Sequence, residues 1–226
     1  SMSPTLKKRW DEAMKQSGSV CQLFEGYGLT EAIAVNCVNN RQFHKKGSIG
    51  KPLPGCSFKI LDSDHNELPI GEIGEIAIKS DALMLKYFND DNATKNTLKD
   101  GWLLTGDAGY IDQDGFVFFK SRLKRVIKVS GVAVFPSEVE KFIESIPEVK
   151  QCAAIGVPDD QLQSAIKVFI VSDFVDKEEL KSKIMSACNR YLIRWSVPKH
   201  IEFRKELPIT KLGKIDYKVL ESEQNH

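Results

Sequence analysis

Three short segments carry side chains whose types and spacing allow chemistry. Glu25-Gly26-Tyr27-Gly28-Leu29-Thr30-Glu31-Ala32 follows the apolar run 20–24 and so sits at an expected strand end. Its glycines let a ligand approach the backbone. Thr30 and Glu31 offer a hydroxyl and a carboxylate, the hard oxygens that suit a magnesium ion carried by nucleotide phosphates. A plain turn is the alternative reading. A dinucleotide fingerprint is excluded, because the sixth position of G-x-G-x-x-G is Glu31. Asp107 ends Gly101-Trp102-Leu103-Leu104-Thr105-Gly106-Asp107, and standing alone it reads as a turn-capping aspartate. Lys214 follows Gly213 in Pro208-Ile209-Thr210-Lys211-Leu212-Gly213-Lys214, and standing alone it reads as a solvated lysine after a glycine turn. Pro208 and Gly213 bracket an exposed loop, the kind of element that can insert a side chain into a site on another lobe.

The elements that must position these residues change character near residue 121. Between 47 and 119, short apolar runs at 57–61, 73–79, 108–111 and 116–119 are separated by turns, which predicts a small antiparallel sheet or barrel. Asp114-Gly115 suits a tight hairpin. Asp62, Asp64 and Asn66 imitate a calcium loop, but Glu67 stands where its glycine belongs and Ile73 where its glutamate belongs, so this stretch reads as a turn. After 121, strands and helices interleave. A strand at 126–129 leads to a helix from about 137, with Ser137 and Glu140 as a capping box and Val139, Phe142, Ile143 and Ile146 on one face. Strands at 153–157 and 166–171 follow. Asp176 and Glu179 cap a second helix, whose apolar face is Leu180, Ile184, Ala187, Cys188, Tyr191 and Leu192. A strand at 201–203, a turn and a short terminal helix complete a compact α+β lobe of about 105 residues.

Composition narrows the function classes. The 226 residues exceed one typical domain and fit two unequal lobes. No run approaches the ~20 apolar residues of a transmembrane helix. With 32 basic and 31 acidic residues, the net charge of +1 supplies no field for nucleic acid or anionic lipid. The basic run 120–128 lacks interleaved aromatics, so nucleic-acid binding is not expected there either. Five scattered cysteines, without a C-x-x-C pair, argue against a disulfide framework or a zinc site. Ser1-Met2 has no signal-peptide character and reads as a tag remnant, which makes the cytosol the expected compartment. The sequon at Asn92 reads as loop chemistry.

Read together, the segments 26–31, 101–107, 120–131 and 208–214 resemble, in order and spacing, the signatures of adenylate-forming enzymes. This family includes acyl-CoA synthetases, peptide-synthetase adenylation domains and firefly luciferase. Weaker family-like stretches at 47–52 and 71–78 extend the resemblance over nearly the whole chain. It implies a two-step reaction: a carboxylate attacks the α-phosphate of ATP to give an acyl-adenylate and pyrophosphate, and a thiol then displaces AMP. It also implies an α+β fold in which residues 1–120 are the C-terminal part of a large AMP-binding domain with a barrel-like subdomain, and residues 121–226 are a mobile lid.

Under the resemblance, Tyr27 lies against adenine, Gly28 lines the nucleotide, Thr30 meets the α-phosphate and Glu31 helps hold Mg2+. Asp107 accepts hydrogen bonds from the ribose hydroxyls with help from Arg122. Lys214 opposes the charge that builds on the α-phosphate. Lys124 is the hinge, and Ser130 and Gly131 face the pantetheine arm of CoA. Two departures stand out: Ser121 replaces the usual glycine before Arg122, and Tyr217 occupies a position where many acyl-CoA synthetases have arginine.

The family's phosphate loop and most of its acyl pocket are expected upstream of residue 1. No substitute of the form G-x-x-x-x-G-K-[ST] occurs in the chain, so by itself it is expected not to adenylate an acid. The segments 127–131 and 135–140 look more like those of CoA ligases than of peptide synthetases, and the chain as a whole most resembles a fatty acyl-CoA synthetase. A carrier-protein-loading enzyme and a non-catalytic interaction module that retains the fold are the alternatives.

Overall fold

The computed structural model describes residues 4–224, so the Ser1-Met2 reading lies outside the described residues. The chain divides into two compact units, one of residues 20–124 and one that begins at Arg125 and also includes the first helix, α1 (Pro4–Gln16). Among the described residues no helix is long and apolar enough to cross a membrane.

In the first unit, β1 (Gly26–Tyr27), β2 (Cys37–Val38) and β3 (Lys51–Pro52) form a small antiparallel sheet. A larger sheet contains β4 (Cys56–Leu61), β5 (Gly74–Ser80), β6 (Leu98–Lys99), β7 (Trp102–Ile111) and β8 (Val117–Arg122). β7 is its centre: β5 pairs with one edge, and β6 and β8 share the other. Register shifts at Glu75/Ala77 and Ala108/Gly109 bend the strands and curl the sheet into a half-barrel. Its inner face buries Ile60, Ile76, Ile78, Leu103 and Val117 against Ala32, Cys37 and Ile49. Of three turn and loop readings, two hold and the sequon changes. The Asp114-Gly115 hairpin forms as expected over 112–116, with Gly115 at a φ of +78° and its N–H donating to Asp112 O at 2.9 Å, while Asp112 Oδ1 accepts from the amides of Asp114 (3.0 Å) and Phe116 (2.9 Å). The sequon lies in a helix, α2 (Asp91–Thr97), whose N-cap Asp90 accepts from Ala93 N at 2.8 Å. The Asp62 stretch is a turn as expected, with Asp62 Oδ1 accepting from Asp64 N and Asn66 N at 2.8 Å each.

The second unit begins with the hairpin β9 (Ile127–Val129) and β10 (Val132–Val134), followed by α3 (Pro136–Glu144). β11 (Gln151–Asp159) and β12 (Gln163–Val171) pair antiparallel. After α4 (Lys177–Tyr191), β13 (His200–Arg204) adds parallel to β12, and α5 (Tyr217–Ser222) closes the chain. Both faces of the sheet are covered, so the strands read as near-continuous apolar runs. Cys152, Ala154, Ile166, Val168 and Ile170 pack with α3 and α4, while Ala153, Ile155, Ala165 and Phe169 pack with Leu207 and Leu220 of the C-terminal segment.

The Ser137–Glu140 capping box is not formed. Phe135 is the N-cap and Pro136 takes the first helical position, where a missing N–H costs nothing, so Ser137 is already inside the helix. Glu140 instead turns inward, and Glu140 Oε1 accepts from Ala154 N at 2.9 Å and from Arg125 Nη2 at 2.6 Å. Asp176 does cap α4, accepting from Glu179 N at 2.9 Å. Tyr191, expected on the apolar face of α4, is 66% exposed. Its ring makes a tilted contact with that of Phe142.

Candidate nucleotide site

The first unit brings together residues far apart in sequence. Tyr27 stands at the end of β1, Asp107 lies in the middle of β7 and Arg122 ends β8 opposite it, in register with Asp107. Tyr27 Oη donates to Asp107 Oδ2 at 2.5 Å, and Arg122 Nε lies 3.0 Å from Asp107 Oδ1. That second approach is close enough for an ion pair but lacks hydrogen-bond alignment, so Asp107 Oδ1 is a buried carboxylate oxygen without a directed donor. The carboxylate is only 1% exposed. Burial raises its pKa above the ordinary 3.8, against the lowering effects of Tyr27 and Arg122. The Tyr27 hydroxyl is likewise pushed well above its usual value, by burial first and then by the Asp107 charge.

The local backbone explains how a carboxylate comes to be held there. Gly106 has a positive φ of 68° just before Asp107, and its N–H donates to Glu75 Oε1 at 2.8 Å. Thr105 Oγ1 donates to Ile76 O at 2.7 Å and accepts from Asp107 N at 3.1 Å. Arg122 Nη1 donates to Thr105 O at 3.3 Å, so one guanidinium reaches both the aspartate and the strand that carries it.

Thr30 opens a 3-10 turn over Thr30–Ala32 and is exposed, as is Gly28. Glu31 is half-buried, and Glu31 Oε1 accepts from Tyr87 Oη at 2.9 Å. Gly28 is required by space rather than by φ: a Cβ there would stand 1.2 Å from Ala34 O. Gly28→Ala is therefore expected to displace the 28–34 turn and lower stability by about 2–4 kcal/mol, read by urea denaturation. Among the described residues no group of three or more His, Cys, Asp or Glu could hold a metal ion. Glu31 alone fits the sparse protein ligation of Mg2+, which takes most of its oxygens from water and substrate phosphates.

Because the folded pKa of Asp107 lies above the unfolded one, its ionisation costs stability as pH rises through that range. Wild type is therefore expected to lose unfolding free energy relative to Asp107→Asn as pH rises from about 4 towards neutrality. Chemical denaturation across that window checks it. A constant difference would contradict the raised value.

The second unit holds the remaining candidates. Lys214 follows Gly213, whose φ is +74°, in a loop closed by Thr210 N to Lys214 O (2.7 Å) and Gly213 N to Thr210 O (2.9 Å). Its side chain is exposed and has no ion-pair partner among the described residues. Ser130 and Gly131 form the two-residue turn of the β9–β10 hairpin, both with positive φ, and Ser130 N donates to Leu162 O at 3.0 Å. Lys124 is exposed in the 3-10 turn Leu123–Arg125, where the two units meet along the chain.

Sequence reading missed Glu75, Thr105 and Tyr87 as supports of the site. Neither carboxylate nor tyrosine carries a local signature: Glu75 is brought in by the pairing of β5 with β7, and Tyr87 by the loop between β5 and α2.

The AMP-binding enzyme family matches residues 1–88, and the AMP-binding enzyme C-terminal domain matches residues 138–214. A long-chain-fatty-acid–CoA ligase of Salmonella typhimurium is 40% identical over 219 residues, covering 96% of this chain. The chain spans 38% of that ligase's length. Among solved structures, the anthranilate CoA ligase AuaEII in complex with anthranoyl-AMP superposes with a TM-score of 0.89 at 32% identity, over 99% of this chain and 43% of its own. ATP-bound MatB from Rhodopseudomonas palustris gives a TM-score of 0.84 at 28% identity, over 97% of this chain and 43% of its own. The chain is an α+β member of the AMP-binding, adenylate-forming enzyme family, similar to long-chain fatty acid–CoA ligases.

Proposed function

We propose that the chain is the nucleotide-handling and lid segment of an acyl-CoA synthetase, which activates a carboxylic acid, a fatty acid by resemblance, as its adenylate and passes it to CoA. The observation that carries this reading is the convergence of three separate motifs on one buried carboxylate: Tyr27 from the first, Asp107 from the second and Arg122 from the third. A carboxylate with an oxygen lacking a directed donor is suited to accept a hydroxyl, and the ribose of ATP presents two. In this reading Tyr27 contributes its ring beside adenine while its hydroxyl steadies Asp107.

Thr30 and Glu31 stand at the phosphates, Glu31 with Mg2+, which when bound would neutralise phosphate charge. Lys214 supplies the ammonium that opposes charge on the α-phosphate oxygens during attack. Lys124 is the hinge at which the lid, residues 121–226, reorients between half-reactions, and Ser130 and Gly131 then meet the pantetheine arm. The half-barrel of β4–β8 belongs to the C-terminal part of the large AMP-binding domain, residues 1–120. The cytosol is the working compartment.

The test is acid-dependent ATP–pyrophosphate exchange by the complete gene product containing these residues, followed by thioester formation with CoA. Exchange with fatty acids and a CoA product supports the reading. Exchange with transfer only to a carrier protein would favour the loading enzyme, and no exchange with any acid would favour the interaction module. The 226 residues by themselves, which contain no phosphate loop, are expected to show no exchange.

A further inference from the structure

We propose that Arg125 and Tyr217 form a clamp that positions the Lys214 loop, so that the residue directly after the hinge and the base of the lysine loop move as one piece. Arg125 is the first residue of its unit after Lys124. Its Cζ stands 3.4 Å from the centroid of the Tyr217 ring. The same guanidinium donates from Nη2 to Glu140 Oε1 at 2.6 Å and to Ala154 O at 3.4 Å. Glu140 is 8% exposed and is also fixed by the Ala154 amide, so the cation is anchored at once to α3 and β11. A planar, weakly hydrated guanidinium can stack on a ring and pair with a carboxylate together, whereas an ammonium cannot reproduce both.

Tyr217 is the first residue of α5 and lies three positions after Lys214. Between them, Asp216 caps α5 and its N–H donates to Pro208 O at 2.8 Å, while Ile209 bridges Ile215. The loop therefore springs from a closed neck whose C-terminal foot is the stacked tyrosine. The far end of α5 is held separately, by buried Leu220 and by Arg204 Nη2 on Glu223 Oε2 at 2.6 Å. At the end nearest the lysine, Ile215 and Tyr217 pack on the same face of the sheet and the Tyr217 hydroxyl meets Glu140, and the Arg125 stack joins that end to the residue after the hinge. Its consequence for catalysis rests on the reading of Lys214 proposed above, but the clamp itself is testable without it.

Hydrogen exchange on this chain reads the clamp directly. Arg125→Lys and Tyr217→Leu are expected to speed exchange of the Thr210, Gly213 and Lys214 amides by about tenfold, the scale of one lost stacked cation. The β11–β12 amides should keep wild-type protection, and Tyr217→Phe, which retains the ring, should exchange like wild type. Unchanged loop exchange in Arg125→Lys and Tyr217→Leu, or an equal rise across the β11–β12 sheet, would overturn the proposal. In the complete gene product, the same two variants should lower kcat of adenylation without raising KM for ATP, and Tyr217→Phe should restore it. If Lys214→Ala leaves adenylation intact, the functional reading of the lysine fails while the exchange pattern still decides the clamp.

Discussion

Lys214→Ala in the complete gene product is expected to slow adenylation by about 100- to 1,000-fold, the usual loss when one preorganised charge contact to a transition state is removed. Thioester formation from preformed acyl-adenylate should be largely spared, because the ammonium is assigned to charge that develops only in the first step. The structure adds a condition that separates chemistry from folding. The side chain is exposed and unpaired among the described residues, so the substitution should shift the unfolding free energy of this chain by no more than about 0.5 kcal/mol. Single-turnover assays of each half-reaction, together with urea denaturation, check both parts. Equal loss in the two half-reactions, or a large loss of stability, would contradict the assignment.

Asp107→Ala is expected to act on both stability and binding. It leaves the buried Tyr27 hydroxyl without its acceptor, which should lower stability by about 1–3 kcal/mol. Nucleotide affinity of the complete gene product should fall by about 10- to 100-fold, the worth of a hydrogen bond to a charged acceptor. Asp107→Asn keeps the shape and an acceptor for Tyr27, so it should recover most of the stability and little of the affinity. Calorimetric titration with ATP and denaturation of the same samples measure the two effects. Parallel recovery of both in Asp107→Asn would show that the carboxylate is only structural.

How far the sequence foretold this structure differs from element to element. The β4, β5 and β12 runs were legible because strands covered by a core face print apolar residues in short, bounded stretches. β7 was legible only over its last four residues, because the half that carries the site buries Thr105 and Asp107 and contains the positive-φ Gly106. Polar burial at a site breaks the pattern from which strands are read. The capping box failed for a local reason: Pro136 pre-sets the helical φ one residue earlier and frees Glu140 for the core. α1 was not foreseen at all: Leu6, Trp10, Ala13 and Met14 recur at helical spacing, but the other nine of its thirteen residues are polar, charged or proline, so the pattern is thin. The four motifs were legible as a family resemblance. The contacts among them were not, since the Tyr27–Asp107 bond joins residues 80 apart in two different sheets and only the packing of those sheets creates it.

The most direct test of acid activation is isotope transfer from the carboxylate. The complete gene product is supplied with ATP, CoA and a fatty acid labelled with heavy oxygen in its carboxyl group, and the products are read by mass spectrometry. If the carboxylate attacks the α-phosphorus and AMP then leaves from the acyl carbon, one labelled oxygen must appear in AMP and none in pyrophosphate. Label in inorganic phosphate, or thioester formed with unlabelled AMP, would contradict an acyl-adenylate and, with it, the proposed roles of Asp107 and Lys214.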